Sequence, residues 1–311
     1  MSNYLVTGGA GFIGSHVVES LLKRKHKVVI LDDFSTGKQE NISKIANKTQ
    51  LDVVKGSITN YKLLMKVLKN IDYVIHLAAL VSVPKSIANP KKYNETNVTG
   101  TLKILLAAKE NSVKKVVFAS SSAVYGQVEN IAVKEDCDTK PISPYGVSKL
   151  IGEYYCKLFS TIYALPTASL RFFNVYGPRQ SLAGQYASVI PKFISCMLKN
   201  ESPPVYGDGG QTRDFVYIED IVNAALSAAR TKDAPGEVFN VASGKNCSVL
   251  SIVNYLKKLL SVKIKPAFMP PRPGDVYHTA ADISKIKKIL KYKAKIDFIT
   301  GLKKTIAYYK G

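Results

Sequence analysis

Tyr4-Leu5-Val6-Thr7-Gly8-Gly9-Ala10-Gly11-Phe12-Ile13-Gly14 decides how this chain folds. An apolar strand pattern runs into glycines spaced three apart, and an amphipathic segment, Ile13–Lys23, follows at once. Gly8 suits a tight turn, Gly11 lets backbone N–H groups approach a pyrophosphate, and Gly14 permits close packing of helix on strand. A helix opened by such a turn offers the positive end of its dipole to a diphosphate. The plain alternative is a glycine-rich connection with no ligand. Asp32 weighs against it: it closes the second strand run, where a carboxylate accepts both adenosine ribose hydroxyls and repels a 2′-phosphate. No Arg stands beside it, so NAD is expected rather than NADP. Phe12 and Ile13, and the turn Asp33-Phe34-Ser35-Thr36-Gly37, are expected to complete the cofactor site.

Working outward, strand runs at Tyr4–Thr7, Lys27–Leu31, Leu51–Val54, Tyr73–His76, Val116–Ala119 and Thr167–Arg171 alternate with helical patterns at Ile13–Lys23, Tyr61–Leu68, Val98–Lys109 and Tyr145–Phe159. This alternation predicts an α/β fold with a doubly wound, Rossmann-type parallel sheet. Continuous apolar strands such as Val28-Val29-Ile30-Leu31 suit a sheet covered on both faces. Beyond Arg171 the pattern becomes irregular and rich in Pro, Gly and Tyr, which predicts a smaller α/β lobe for substrate. The expected division is 1–171 plus about 212–241 for the cofactor domain, and 172–211 plus 242–311 for the other lobe.

The chain has 311 residues and a formal charge of +21, from 44 Lys and Arg against 23 Asp and Glu. Such a balance raises the possibility of nucleic-acid binding. The lysines are spread, with mild concentrations at Lys23–Lys27 and Lys285–Lys295, and no nucleic-acid motif accompanies them. A solvated basic surface that attracts anionic substrates is the expectation. No apolar run reaches the roughly 18 residues of a membrane span. Cys137, Cys156, Cys196 and Cys247 match no metal spacing and read as reduced thiols of a cytoplasmic protein; no metal is expected.

The chemistry gathers at Tyr145-Gly-Val-Ser-Lys149. Ser143 and Pro144 are a good N-cap and first helical residue, which places Tyr145 in the opening turn with Lys149 on the same face. Bringing a phenol from near 10 to near 7 takes about 4 kcal/mol of differential stabilisation. A neighbouring ammonium and a positive nicotinamide ring could supply it in a partly dry site. Tyr145 is therefore the expected general base, with Lys149 lowering its pKa. Ser121 ends the fifth strand run, where ligands of such sheets collect, and Ser122 adjoins it. Leu77-Ala78-Ala79 ends the fourth run with residues small enough to let backbone approach a cofactor.

The Gly-x-x-Gly-x-x-Gly turn, Ser120-Ser121-Ser122-Ala123-Val124-Tyr125-Gly126 and Tyr145–Lys149 together resemble the extended short-chain dehydrogenase/reductase family, and within it the nucleotide-sugar 4-epimerases. The resemblance implies that Lys149 also binds the nicotinamide ribose and that Asn97 is an active-site Asn. It implies that Phe173, Asn174 and Val189 contact nucleotide sugar, that Arg213, Arg272 and Asp275 bind its diphosphate and ribose, and that Pro204 and Tyr206 flank uracil. Where the family has an adenine-contacting Asp, this chain has Gly56-Ser57-Ile58, so Ser57 and Ile58 are the expected substitutes. Related dehydratases carry Asp-Glu, and related decarboxylases a Glu, where this chain has Ser122-Ala123. That argues for simple hydride removal and return. The resemblance places Thr279 where a bulky aromatic would exclude N-acetylated sugars, so UDP-N-acetylglucosamine is expected beside UDP-glucose. The resemblance also implies a homodimer. A uronic-acid epimerase, another cofactor-dependent enzyme on this scaffold, and a non-catalytic NAD-sensing or nucleic-acid-binding protein are the other readings.

Overall fold

In the computed structural model the described residues are all except 44, 46, 47, 129–131, 183–187, 233, 272–276, 279 and 311. Seven strands form the main sheet: β1 (Asn3–Thr7), β2 (Lys27–Asp32), β3 (Leu51–Lys55), β4 (Tyr73–His76), β5 (Lys115–Ser121), β6 (Thr167–Phe172) and β7 (Glu237–Val241). Their order is β7-β6-β5-β4-β1-β2-β3, and every pairing is parallel. The chain winds one way from β1 to β3 and then crosses back to β4. The switch point, where ligands of such sheets bind, therefore lies beyond the carboxyl ends of β1 and β4.

Alternation along the strands feeds two cores. Tyr4, Val6, Ile30, Ile75 and Val117 face helices α1 (Phe12–Lys23) and, later in the chain, Ile218–Arg230. Leu5, Leu31, Val74, Val116 and Phe118 face the helices Tyr61–Val67, α2 (Gly100–Glu110) and α3 (Pro144–Ile162). Fully burying each large aliphatic contributes roughly 1.5–3 kcal/mol, so a strand apolar on both sides has no stable exposed face.

The second lobe is assembled from short pieces. Asn174–Tyr176 pairs in parallel with Thr212–Tyr217, which pairs antiparallel with Asn246–Ser248. Residues 212–217, expected with the cofactor domain, thus belong to this small sheet, while Ile218–Arg230 and β7 pack into the main one. The pattern predicted from Val98 is also broken differently: Asn94–Thr99 is a π-helical stretch, and α2 proper begins at Gly100. Among the described residues no helix is long and apolar enough to cross a membrane.

Candidate active site

At the switch point a cleft of about 620 Å³ opens, lined by Gly8, Gly11, Phe12, Ile13, Gly14, Asp32, Asp33, Ser35, Thr36, Gly37, Ile58, Leu77, Ala78 and Ala79 at one end. Ser121, Ser122, Tyr145, Lys149, Phe173 and Asn174 line the other. Gly8 takes a φ of +70°, and a Cβ on Gly14 would stand 2.1 Å from Gly8 O, so the turn admits no side chain there. Gly11 caps α1 without any side-chain hydrogen bond, leaving first-turn N–H groups for a ligand in the cleft. Asp32 fixes the turn by accepting from Ala10 N at 2.9 Å and Phe34 N at 2.9 Å. Burial raises its pKa, against those two hydrogen bonds. A cradle shaped by glycines, with an open helix start and a carboxylate at its far end, fits a dinucleotide.

A buried chain of hydrogen bonds seats the Leu77–Ala79 wall. Thr101 Oγ1 donates to Asn97 O, so it accepts from His76 Nε2 at 2.9 Å; Nδ1 then accepts from Thr7 Oγ1 at 2.7 Å. Thr7 Oγ1 in turn accepts from Ala78 N at 3.2 Å. Burial holds His76 neutral, pushing it down to about 3.

At the reacting end, Ser143 caps α3 by accepting from Gly146 N at 3.1 Å, with Pro144 next, so Tyr145 sits in the first turn as the sequence predicts. Tyr145 and Ser121 line the same end of the cleft. Lys149 Nζ donates to Ala119 O at 2.7 Å and lies 5.9 Å from the Tyr145 ring centroid. One turn on, Glu153 takes a bidentate grip from buried Arg171 at 2.9 and 2.7 Å and accepts from Ser120, which ties α3 to β5 and β6 behind the site.

The electrostatics differ from expectation. Burial drives the Tyr145 phenol above its ordinary value, and the neighbouring Ser121 opposes that rise. Lys149 is itself buried, which pushes its ammonium down to about 8, and its Nζ is aimed at the Ala119 carbonyl. Cys156 and Glu153 recover part of that loss.

Three residues of the expected site stand apart from the cleft lining. Asn97 is 2 % exposed and does not line the cleft. Its amide instead accepts from Leu80 N and donates to Leu80 O and to Ser148 Oγ, bracing the Leu77–Val81 loop against α3. Ser57 is turned away, its hydroxyl bonded to Thr59, while Gly56 and Ile58 form the wall. Phe34, with a φ of 59°, packs into the core rather than the cleft. Thr96, Gln180 and Ser188 line the cleft without any signal that sequence reasoning used.

A second pocket of about 480 Å³ adjoins the first through Asn174, Val175 and Ser188. It brings together Asn174, Val189, Pro204, Tyr206 and Arg213, and adds Lys192, Phe193, Gln211, Phe215 and Val249. Arg213 Nη1 is anchored on Thr212 O at 2.9 Å and Tyr277 O at 3.2 Å. Arg272, Asp275 and Thr279 lie outside the described residues. Across both pockets the only carboxylates among the described lining residues are Asp32 and Asp33, at the end away from Tyr145. No group of three or more metal-binding side chains comes together among the described residues.

Comparison with known proteins places the chain among nucleotide-sugar enzymes. The profile of the GDP-mannose 4,6-dehydratase family matches residues 5–305. A UDP-N-acetylglucosamine 4-epimerase from Methanobrevibacter ruminantium, solved with UDP-N-acetylmuramic acid, is 43% identical over 99% of this chain and 98% of its own, with a TM-score of 0.95. The UDP-glucose 4-epimerase of Thermotoga maritima, solved with UDP-glucose, is 37% identical over 99% and 98%, with a TM-score of 0.93. That of Thermus thermophilus, in complex with NAD, is 32% identical over 99% of each chain, with a TM-score of 0.90.

Proposed function

The chain belongs to the GDP-mannose 4,6-dehydratase family within the extended short-chain dehydrogenases/reductases, and on that premise we propose that it is an NAD-dependent isomerase inverting C4 of a UDP-hexose. The observation that carries this reading is the pairing of Ser121, Tyr145 and Lys149 with a reacting end free of carboxylates among the described lining. A dehydration needs an acid and a base to remove water, and the Ser122-Ala123 position supplies neither. Hydride removal followed by its return needs one base and a holding hydroxyl.

Held by the Gly8–Gly14 turn and Asp32, NAD would supply the acceptor and donor of hydride for the sugar's C4. Tyr145 takes the C4 hydroxyl proton and later gives it back, while Ser121 holds the oxygen. Lys149, 5.9 Å from the Tyr145 ring centroid, supplies positive charge in a setting where burial disfavours the phenolate. Arg213, with Asn174, Val189, Pro204 and Tyr206, holds the nucleotide while the transient 4-keto sugar turns over and presents its other face. Arg213 suits a diphosphate because its guanidinium stays charged and matches phosphate oxygens. The 43% identity to a UDP-N-acetylglucosamine epimerase supports the N-acetylated pair, with UDP-glucose as a further substrate.

Incubation with UDP-N-acetylglucosamine or UDP-glucose, without added cofactor, is expected to yield a product differing only at C4, with no net NADH. Net redox, or loss of water or carbon dioxide, overturns the reading.

The same enzyme is proposed to work as a cytoplasmic homodimer. Its four cysteines are free, and α3 carries an outward apolar stripe of Val147, Tyr154, Leu158 and Ile162, continuous with an open hollow at Pro90, Pro141 and Ile142. Leu158→Asp should shift light-scattering mass from two chains to one; an unchanged mass removes α3 from the interface.

A further inference from the structure

The nucleotide pocket contains a polar atom that the roles above leave unused. Gln211 is 8 % exposed and lines the pocket beside Phe193, Tyr206 and Arg213. Its Nε2 donates to Tyr206 O at 2.8 Å. A carbonyl oxygen can only accept, so this contact settles which end of the amide is nitrogen. Gln211 Oε1 is then an acceptor, buried, with no hydrogen-bond partner among the described residues. Native proteins rarely leave such an atom unmatched, because desolvating it without a donor is costly.

We propose that Gln211 is a nucleoside-specificity residue whose Oε1 accepts a hydrogen bond from an N–H or O–H of the substrate's nucleoside. The proposal rests on the UDP-sugar reading and names a recognition element within it. The chemistry of the acceptor excludes the diphosphate, whose ionised oxygens also only accept. The hexose is excluded by position, since Gln211 is absent from the lining of the cleft that holds Ser121 and Tyr145. Three donors remain on a uridine, N3–H of the base and the ribose 2′- and 3′-hydroxyls. The terminal torsion of a glutamine is soft, so a modest turn brings Oε1 to the pocket surface. Arg213 and Gln211 then divide the nucleotide by hydrogen-bond polarity, the cation serving acceptors and the amide oxygen serving a donor.

Calorimetric titration of the purified protein with UDP, 2′-deoxy-UDP, 3′-deoxy-UDP and CDP, in wild type and Gln211→Met, tests this. UDP should bind Q211M about tenfold more weakly than wild type, the size of one neutral hydrogen bond. The analogue lacking the relevant donor should bind both proteins within about twofold. If that analogue is CDP the donor is N3–H, and if a deoxy nucleotide, the hydroxyl it lacks. Equal UDP affinity in the two proteins, or the same loss for all four nucleotides, overturns the proposal. Should Q211M fold poorly by Tm, wild type alone decides: equal affinity for all four nucleotides overturns it. If wild type binds no UDP, the UDP-sugar reading itself falls.

Discussion

The cofactor cleft and the nucleotide pocket share a wall at Asn174 and Val175, yet they are made by different means. The cleft is a backbone construction: glycines at a strand–helix turn, an uncapped helix start, and a loop seated by the Thr7–His76–Thr101 chain. The pocket is a side-chain construction, with Phe193, Tyr206, Gln211 and Arg213 drawn from separate short elements. Backbone sites depend on what a residue leaves out, and side-chain sites on what it brings. Substitutions should therefore fail differently in the two regions.

The largest effect is expected at their meeting point. Tyr145→Phe removes the proton acceptor while keeping the ring, and should lower kcat about 10³–10⁴-fold with dinucleotide content unchanged by denaturing release and chromatography. Undiminished turnover would remove Tyr145 from the chemistry. Next, Gly14→Ala drives a methyl into Gly8 O, and overpacking of this kind costs about 1–3 kcal/mol, or roughly tenfold to a hundredfold in NAD retention. An alanine variant that purifies with full dinucleotide would show that the turn is not the cradle. In the pocket, Arg213→Ala should raise KM for the UDP-sugar about tenfold or somewhat more, with bound NAD intact. Loss of NAD from that variant would mean the two regions are not separable.

The smallest effect is a pH limb. Burial leaves Lys149 titrating at about 8, so its ammonium is present below that pH and is lost above it. A phenolate that depends on that charge becomes harder to form, and kcat/KM should fall about tenfold between pH 8 and pH 9 or slightly beyond. A flat profile through this range would show that Tyr145 ionises without help from Lys149.

The contrast between the regions also explains what the sequence disclosed. The glycine turn, the capped start of α3 and the doubly apolar strands are local patterns, each written in a few adjacent residues, and the parallel sheet follows from their alternation. Tyr145 and Lys149 share a helix face for the same reason. The bracing role of Asn97 is hidden because its amide bonds Leu80 and Ser148, partners remote in sequence, across a π-helical stretch that no simple period announces. The ionisation of Tyr145 is equally hidden, since burial and the aim of Lys149 are tertiary facts. Lys192 and Phe193 stand in no motif, Gln211 lies unremarked in the segment that carries Arg213, and only folding brings the three to one wall.

Phe173 carries a last consequence. It alone separates the end of β6, at Phe172, from Asn174, the first residue of a strand in the smaller sheet. Adjacent Cα atoms stand about 3.8 Å apart whatever the neighbouring layers do. The two layers can therefore tilt about this residue but cannot part there. Asn174, which faces both hollows, stays tethered within two residues of the strand end at Phe172.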